Sequence, residues 1–315
     1  MRPYRIVDSP EFRDLLHTLD PRYNVPGREQ FADVIIPQKY AQVKALVKED
    51  LQNAEKVALT TDSWTSRSTE SYLTVTSTHI DTNWKLINYV LQTRPMYEGH
   101  TGENIAAVIH EALKEWEPQS IPIPPIVSDN ASNMDKAGTL LGCNFHIKCY
   151  THTVNLAAQK CLKIRRIEIL LSRIRRIVGF FHRSTTAAAK LRSQAELLGL
   201  PDHKLIADVP TRWNSTYDMI SRFLEMQRAI IAVLRSKDLA KIKEKDLNTL
   251  TDDDICLADE VMVCLKPLKV VTATLCAESV PTISVIMPLH RKLIDSIFQH
   301  SDDDSSNSSD EKGCG

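Results

Sequence analysis

No Cys-x2-Cys followed by His-x3–5-His occurs in the sequence, so no zinc finger of that kind lies within it. Signal and transit peptides are lacking too, as is any apolar run long enough to cross a bilayer. Charge of one sign is scarce: 39 Lys and Arg against 40 Asp and Glu leave a net −1. A polyanion-binding tail is therefore excluded, and any nucleic-acid contact must come from local patches. Cysteine is present but not in a pairing pattern. The seven, at 143, 149, 161, 256, 264, 276 and 314, are odd in number and scattered through helix-like surroundings. That favours a reducing compartment over a disulfide scaffold. These absences predict a soluble, intracellular protein with no membrane partner. What is there is enough for a core: 315 residues, 43% of them hydrophobic, make one large domain or two smaller ones. The N-terminus begins abruptly: Met1-Arg2-Pro3-Tyr4 enters mid-pattern.

Two stretches organise the chain. In Val57 to Asp62 an apolar, β-branched run ends on a carboxylate, and Pro125 to Asp129 repeats the arrangement. Both acids are expected at the carboxyl ends of strands, where open α/β sheets place their sites. Between them come an alternating strand Tyr72–Ile80, a turn at Asp81-Thr82-Asn83, a return strand Trp84–Arg94 and a helix Gly102–Trp116. Strand, strand, strand, helix, strand is the order of an RNase H-like core. Before it, residues 8–53 read as helical, opened by Ser9 as cap with Pro10 in the first turn. His79 is either a ligand or an accommodated strand histidine.

After Asp129 the sequence predicts a helix Ser132–Leu141, a short strand Asn144–Lys148 and a long helix from Thr151. That helix buries Val154, Leu156, Ala157, Cys161, Ile164, Ile167 and Leu170, and continues, with or without a break, to His182. Arg165, Arg166, Arg173, Arg175 and Arg176 make it the most basic part of the chain. Thr185–Leu197 reads as a helix and Lys204–Asp208 as a last strand. Helices Trp213–Leu234, Asp252–Leu268 and Val280–Phe298 follow, with a lysine-rich connection Lys237–Lys245. The residues give an α/β fold: a mixed sheet flanked by helices, with an N-terminal helical lead-in and an all-helical C-terminal part. The domain reading is 1–53 lead-in, 54–212 core, 213–300 helical insertion region and 301–315 a disordered acidic tail, too polar to order itself.

Four motifs carry a family resemblance: Thr61-Asp62-Ser63-Trp64-Thr65-Ser66; Val127-Ser128-Asp129-Asn130-Ala131-Ser132-Asn133-Met134; Cys149-Tyr150-Thr151-His152-Thr153-Val154-Asn155-Leu156; and Pro210-Thr211-Arg212-Trp213-Asn214-Ser215-Thr216. In this order, over roughly 150 residues, they resemble hAT superfamily transposases, and among those the animal zinc finger BED domain-containing proteins. The resemblance implies that Asp62 and Asp129 are the first two catalytic acids, holding Mg²⁺ or Mn²⁺ through hard oxygen ligands for phosphoryl transfer. Spacing alone favours another role, each acid capping the turn or helix that follows. The third family acid sits in a C-terminal Ser-Glu-Arg-like segment that also builds the dimer. No such segment is found here, and Glu278 in Ala277-Glu278-Ser279 is a poor substitute.

The resemblance also implies that Cys149 and His152 sit beside the acids as supporting groups. Cys143 with His146 repeats their spacing, which raises zinc, but a strand reaching Lys148 and a helix from Thr151 would splay the four side chains apart. Zinc is not expected. Arg212 can pair with phosphate and Trp213 can stack on an unpaired base, or Trp213 anchors the helical region on the core. Arg165, Arg166, Arg173 and Arg176 either follow a DNA backbone or form a solvated face balanced by Glu168. The expectation is a domesticated hAT transposase-derived nuclear protein. It binds DNA, acts in transcription regulation, is not an enzyme, and forms any homo-oligomer through segments missing here. The alternatives are a metal-dependent transposase or nuclease fragment and a decayed transposon copy.

Overall fold

The computed structural model describes residues 4–66, 68–117, 123–236 and 247–307. It divides into two compact units, Met1–Ile147 and Lys148–Gly315. That division falls inside the span 54–212 grouped from sequence as one core.

The first unit opens with helices α1 (Pro10–Leu19), α2 (Arg28–Gln30) and α3 (Ile36–Asn53), with a π-helical turn Phe31–Ile35 joining the last two. Pro37 explains that widened turn. It has no N–H to give the preceding turn and its ring crowds the carbonyl of residue 33, so the ladder loosens just upstream. The sheet has the order β3-β2-β1-β4-β5. Its strands are β1 (Ala58–Thr65), β2 (Ser71–Ile80), β3 (Leu86–Pro95), β4 (Ile126–Ser128) and β5 (His146–Lys148). β2 runs antiparallel to β1 and β3, while β4 lies parallel to β1. This mixed sheet with flanking helices is the α/β fold that the residue pattern predicts.

Alternation along β2 shows why the sheet has two unlike faces. Leu73, Val75, Ser77 and His79 are buried, while Tyr72, Thr74, Thr76 and Thr78 look the other way. Helix α4 (Gly102–Trp116) has Thr101 as its cap, accepting the Asn104 N–H at 3.3 Å. It joins the same core through Ile105, Val108, Ile109, Ala112 and Trp116. Each fully buried aliphatic there contributes about 1.5–3 kcal/mol. Helix α5 (Ser132–Leu140) adds Met134 and Ala137. His79 is an accommodated histidine: its Nε2 lies 3.1 Å from Asp50 Oδ2 on α3, without hydrogen-bond alignment. Asp50 also accepts the Tyr89 hydroxyl at 2.8 Å. Burial first, and then that carboxylate, push the Tyr89 phenol up to about 12.

The second unit is helical: α6 (Tyr150–Leu162), α7 (Arg165–Arg183), α8 (Thr185–Leu197), α9 (Trp213–Arg235), α10 (Asp252–Leu275) and α11 (Ile286–Asn307). The helix predicted from Thr151 breaks at Lys163 and Ile164. Its buried stripe is Val154, Ala158 and Leu162; Leu156, Cys161 and Ile164 are exposed. The two-turn spacing of 154, 158 and 162 selects that face, one residue round from the predicted one.

Lys204–Asp208 is not a strand. Its carbonyls are taken by side chains: His182 contacts the Leu205 oxygen at 2.8 Å, and Arg222 donates to the Lys204 oxygen at 2.9 Å. A segment whose backbone groups are satisfied this way has no need of a ladder. At the other end, the α11 backbone runs to Asn307, into the stretch read as a tail from 301. Extending an existing helix costs little once nucleated. Residues 308–315 and the Lys237–Lys245 connection lie outside the described residues.

Candidate functional site

Strand β1 does not stop at Asp62. It continues to Thr65, because its antiparallel neighbour β2 supplies partners throughout: Asp62 faces Thr74, and Thr65 faces Ser71. The parallel neighbour stops sooner, pairing Leu59 with Ile126 and Thr60 with Val127. Continuing that register by two residues sets the backbone of Asp62 alongside that of Asp129. Asp62 lies on the exposed side of the pleat shared by Thr60 and Trp64. On that face the Trp64 indole stacks on Tyr72, centroids 4.6 Å apart, and donates to Thr74 at 3.3 Å.

Asp129 is the first residue beyond β4. Its Oδ1 accepts the Ala131 N–H at 3.1 Å just before α5, so one oxygen does the capping work expected of an aspartate there. The carboxylate has a second oxygen.

Ser128, which lies within the second motif, pairs with His146, which does not. Ser128 is 2% exposed. Its hydroxyl donates to the Asp129 carbonyl oxygen at 3.0 Å and lies 2.8 Å from His146 Nε2. His146 pairs in sequence with Cys143 as a zinc candidate, yet its ring belongs to Ser128, while the Cys143 thiol faces the Pro124 carbonyl at 3.6 Å. The available signal was the pleat: with Ile126 inward and Val127 outward, Ser128 must point inward, and a buried hydroxyl requires a partner.

In the helical unit, Cys149 is the cap residue of α6 and its Sγ lies 3.0 Å from the Thr151 hydroxyl. His152 is half-buried on the first turn. The basic helix splits by function. Arg165, Arg166 and Arg176 are exposed. Arg173 is committed to Asp254, donating to Oδ1 at 2.7 Å, and Asp254 also caps α10 in a capping box with Thr251. Burial pushes the Asp254 carboxyl up, but the Thr251 backbone N–H and Arg173 outweigh it and hold it below its ordinary range. Arg175 grips Asp208 through two nitrogens. Arg212 is exposed, whereas Trp213 is 2% exposed and sits in the helical core. The anchoring role that the sequence left open for Trp213 is the one the fold gives it. A buried indole cannot offer its face to a base, which corrects its reading as a DNA contact.

Two family models match the chain, a ZBED1 RNase-like domain over residues 60–153 and a ZBED1 RNase-like helical domain over residues 147–261. Among known proteins, zinc finger BED domain-containing protein 4 of Homo sapiens is 31% identical over 73% of this chain and 20% of its own length. A Zea mays protein named "Putative AC transposase" is 27% identical over 74% of this chain and 30% of its own. A Talaromyces stipitatus protein, tpeD, named "Putative transcriptional regulator", is 24% identical over 92% of this chain and 38% of its own. The chain thus spans about a fifth to two fifths of the length of these relatives. With both matched domains in sequence order and relatives of both kinds, it belongs to the hAT transposase-like family that includes the zinc finger BED domain-containing proteins.

Proposed function

We propose that this chain is the core of a domesticated hAT transposase-derived nuclear protein that associates with DNA in transcription regulation and does not itself cut DNA. The observation that carries this reading is the β1–β4 register, which, continued two residues, aligns the backbones of Asp62 and Asp129, the acids of two of the family motifs. The names of the relatives, BED zinc finger protein, transposase and regulator, support it. Asp62 and Asp129 would hold one Mg²⁺ or Mn²⁺ ion. Its chemistry is charge neutralisation at a phosphate, and Cys149 and His152 are supporting groups. No helix among the described residues is long and apolar enough to cross a membrane. Self-association, through segments outside this sequence, is part of the same proposal.

DNA contact falls to Arg165, Arg166, Arg176 and Arg212, which are exposed. Arg173 contributes less, because Asp254 already takes its guanidinium. The test is a binding titration on duplex DNA at two salt concentrations. Each phosphate neutralised adds about −0.9 to the slope of log affinity against log salt. Arg165→Ala and Arg166→Ala should each flatten that slope by about one such step, and Arg173→Ala should flatten it less. Binding that ignores salt, or is unchanged in the Arg165→Ala/Arg166→Ala double variant, would count against the basic helix. A metal-dependent transposase or nuclease fragment is the second reading, favoured by the same acid register.

A further inference from the structure

Each acid of the candidate site is preceded by a buried hydroxyl. Thr61 and Ser128 both lie on the covered face of the sheet, directly before Asp62 and Asp129. The parallel register that aligns the acids aligns these two hydroxyls as well, one residue earlier. They line one cavity with His146, Gly138 and Met134. The Thr61 Oγ1 finds no protein partner in it.

We propose that His146 and Ser128 form a latch, seated on Gly138, that positions Asp129 against Asp62. Both are positioning residues, not catalytic ones. The hydroxyl fixes the direction of the latch. Ser128 has one proton and gives it to the Asp129 carbonyl. In the proposed latch that hydroxyl accepts from His146, whose imidazole would then carry its proton on Nε2, the tautomer the test below reads. On the other side of the ring, Nδ1 is 3.7 Å from Asp135 Oδ1, beyond hydrogen-bond distance. The ring rests on α5 at Gly138, where an added Cβ would lie 3.0 Å from His146 Cγ and Nδ1. A glycine inside a helix is otherwise unfavourable by about 0.5–1 kcal/mol relative to alanine. Its presence here is explained by the ring it admits.

The latch adds to a short stretch of pairing at this corner. β4 and β5 have three residues each, and β4 pairs with β1 through only two residue pairs. The Ser-His-Asp composition does not make a nucleophile, since Ser128 is buried and the carboxylate stands off the ring.

The inference concerns the acid pair of the proposed function, but its test uses neither metal nor DNA, so the two fail separately. Nitrogen-15 NMR of the whole chain, labelled at histidine, reads the His146 tautomer, and amide exchange reads the Ala131 N–H that donates to Asp129. The expected wild-type state is Nε2–H. In Ser128→Ala and His146→Leu, Ala131 should exchange about tenfold faster. Amides on α4 should keep their protection. His146→Gln, whose side-chain amide can still donate to Ser128, should restore the slow exchange. Gly138→Ala separates position from stability: the helix gains propensity while the displaced ring speeds Ala131 exchange. An Nδ1–H tautomer, unchanged Ala131 exchange in both Ser128→Ala and His146→Leu, or no rescue by glutamine would overturn the proposal.

Discussion

Arg175→Ala is expected to destabilise the helical unit by about 3 kcal/mol at neutral pH, the lower end for breaking a buried ion pair. The Asp208 side chain is 4% exposed and Arg175 about a third, which is why the lower end applies. The guanidinium donates Nε and Nη2 to the carboxylate, and the Thr216 hydroxyl adds a third hydrogen bond at 2.9 Å. Removing Arg175 leaves a buried carboxylate with one side-chain donor. Burial alone pushes the Asp208 carboxyl up, but Arg175 and Thr216 outweigh it and hold the group below the usual carboxylate range. A folded-state pKa below the unfolded one contributes stability above the unfolded value, about 4, and that stability is lost as pH falls through the folded value. The difference between Arg175→Ala and wild type should therefore be largest at neutral pH and shrink on acidification below about pH 4. Urea unfolding at several pH values checks both points. A penalty that is constant with pH would contradict this account of the pair.

Trp213→Ala should cost as much or more, about 3–5 kcal/mol, because it removes one of the largest fully buried side chains of the helical core. Trp213 is also the first residue of α9, so its loss unseats the start of a 23-residue helix. Trp213→Phe keeps most of the apolar volume and should be much milder. The contrast separates anchoring from base stacking. If Trp213 only anchors, Trp213→Phe binds DNA like wild type and shows a lowered unfolding midpoint. If DNA affinity drops while stability holds, the indole is reaching a base after all.

Most of the architecture was legible because it rests on local pattern. Period-two alternation marks β2, helical spacing marks α4, and the bounds of α8 are those expected from its residues. The failures share a cause: a distant partner decides. β1 overruns Asp62 because β2 offers backbone groups that no reading of β1 alone can see. Lys204–Asp208 has the composition of a strand, but His182 and Arg222 satisfy its carbonyls. Arg173 and Arg175 look like members of one basic face until Asp254 and Asp208, far along the chain, claim them. His146 was read through its sequence neighbour Cys143, whereas its ring answers to Ser128, eighteen residues earlier.

The acid pair bears the proposed function: the β1–β4 register runs toward Asp62 and Asp129, and the proposal is that this chain does not cut DNA by itself. Two-metal chemistry needs anionic ligands that fix the ions' separation, and lost positioning alone can cost orders of magnitude in rate. The direct measurement is strand cleavage of hairpin and terminal-repeat DNA by the purified chain with Mn²⁺, beside Asp62→Ala and Asp129→Ala. The account predicts that wild type cleaves no faster than either variant while still binding the DNA in a salt-sensitive way. Metal-dependent cleavage by wild type, abolished in Asp62→Ala or Asp129→Ala, would contradict it.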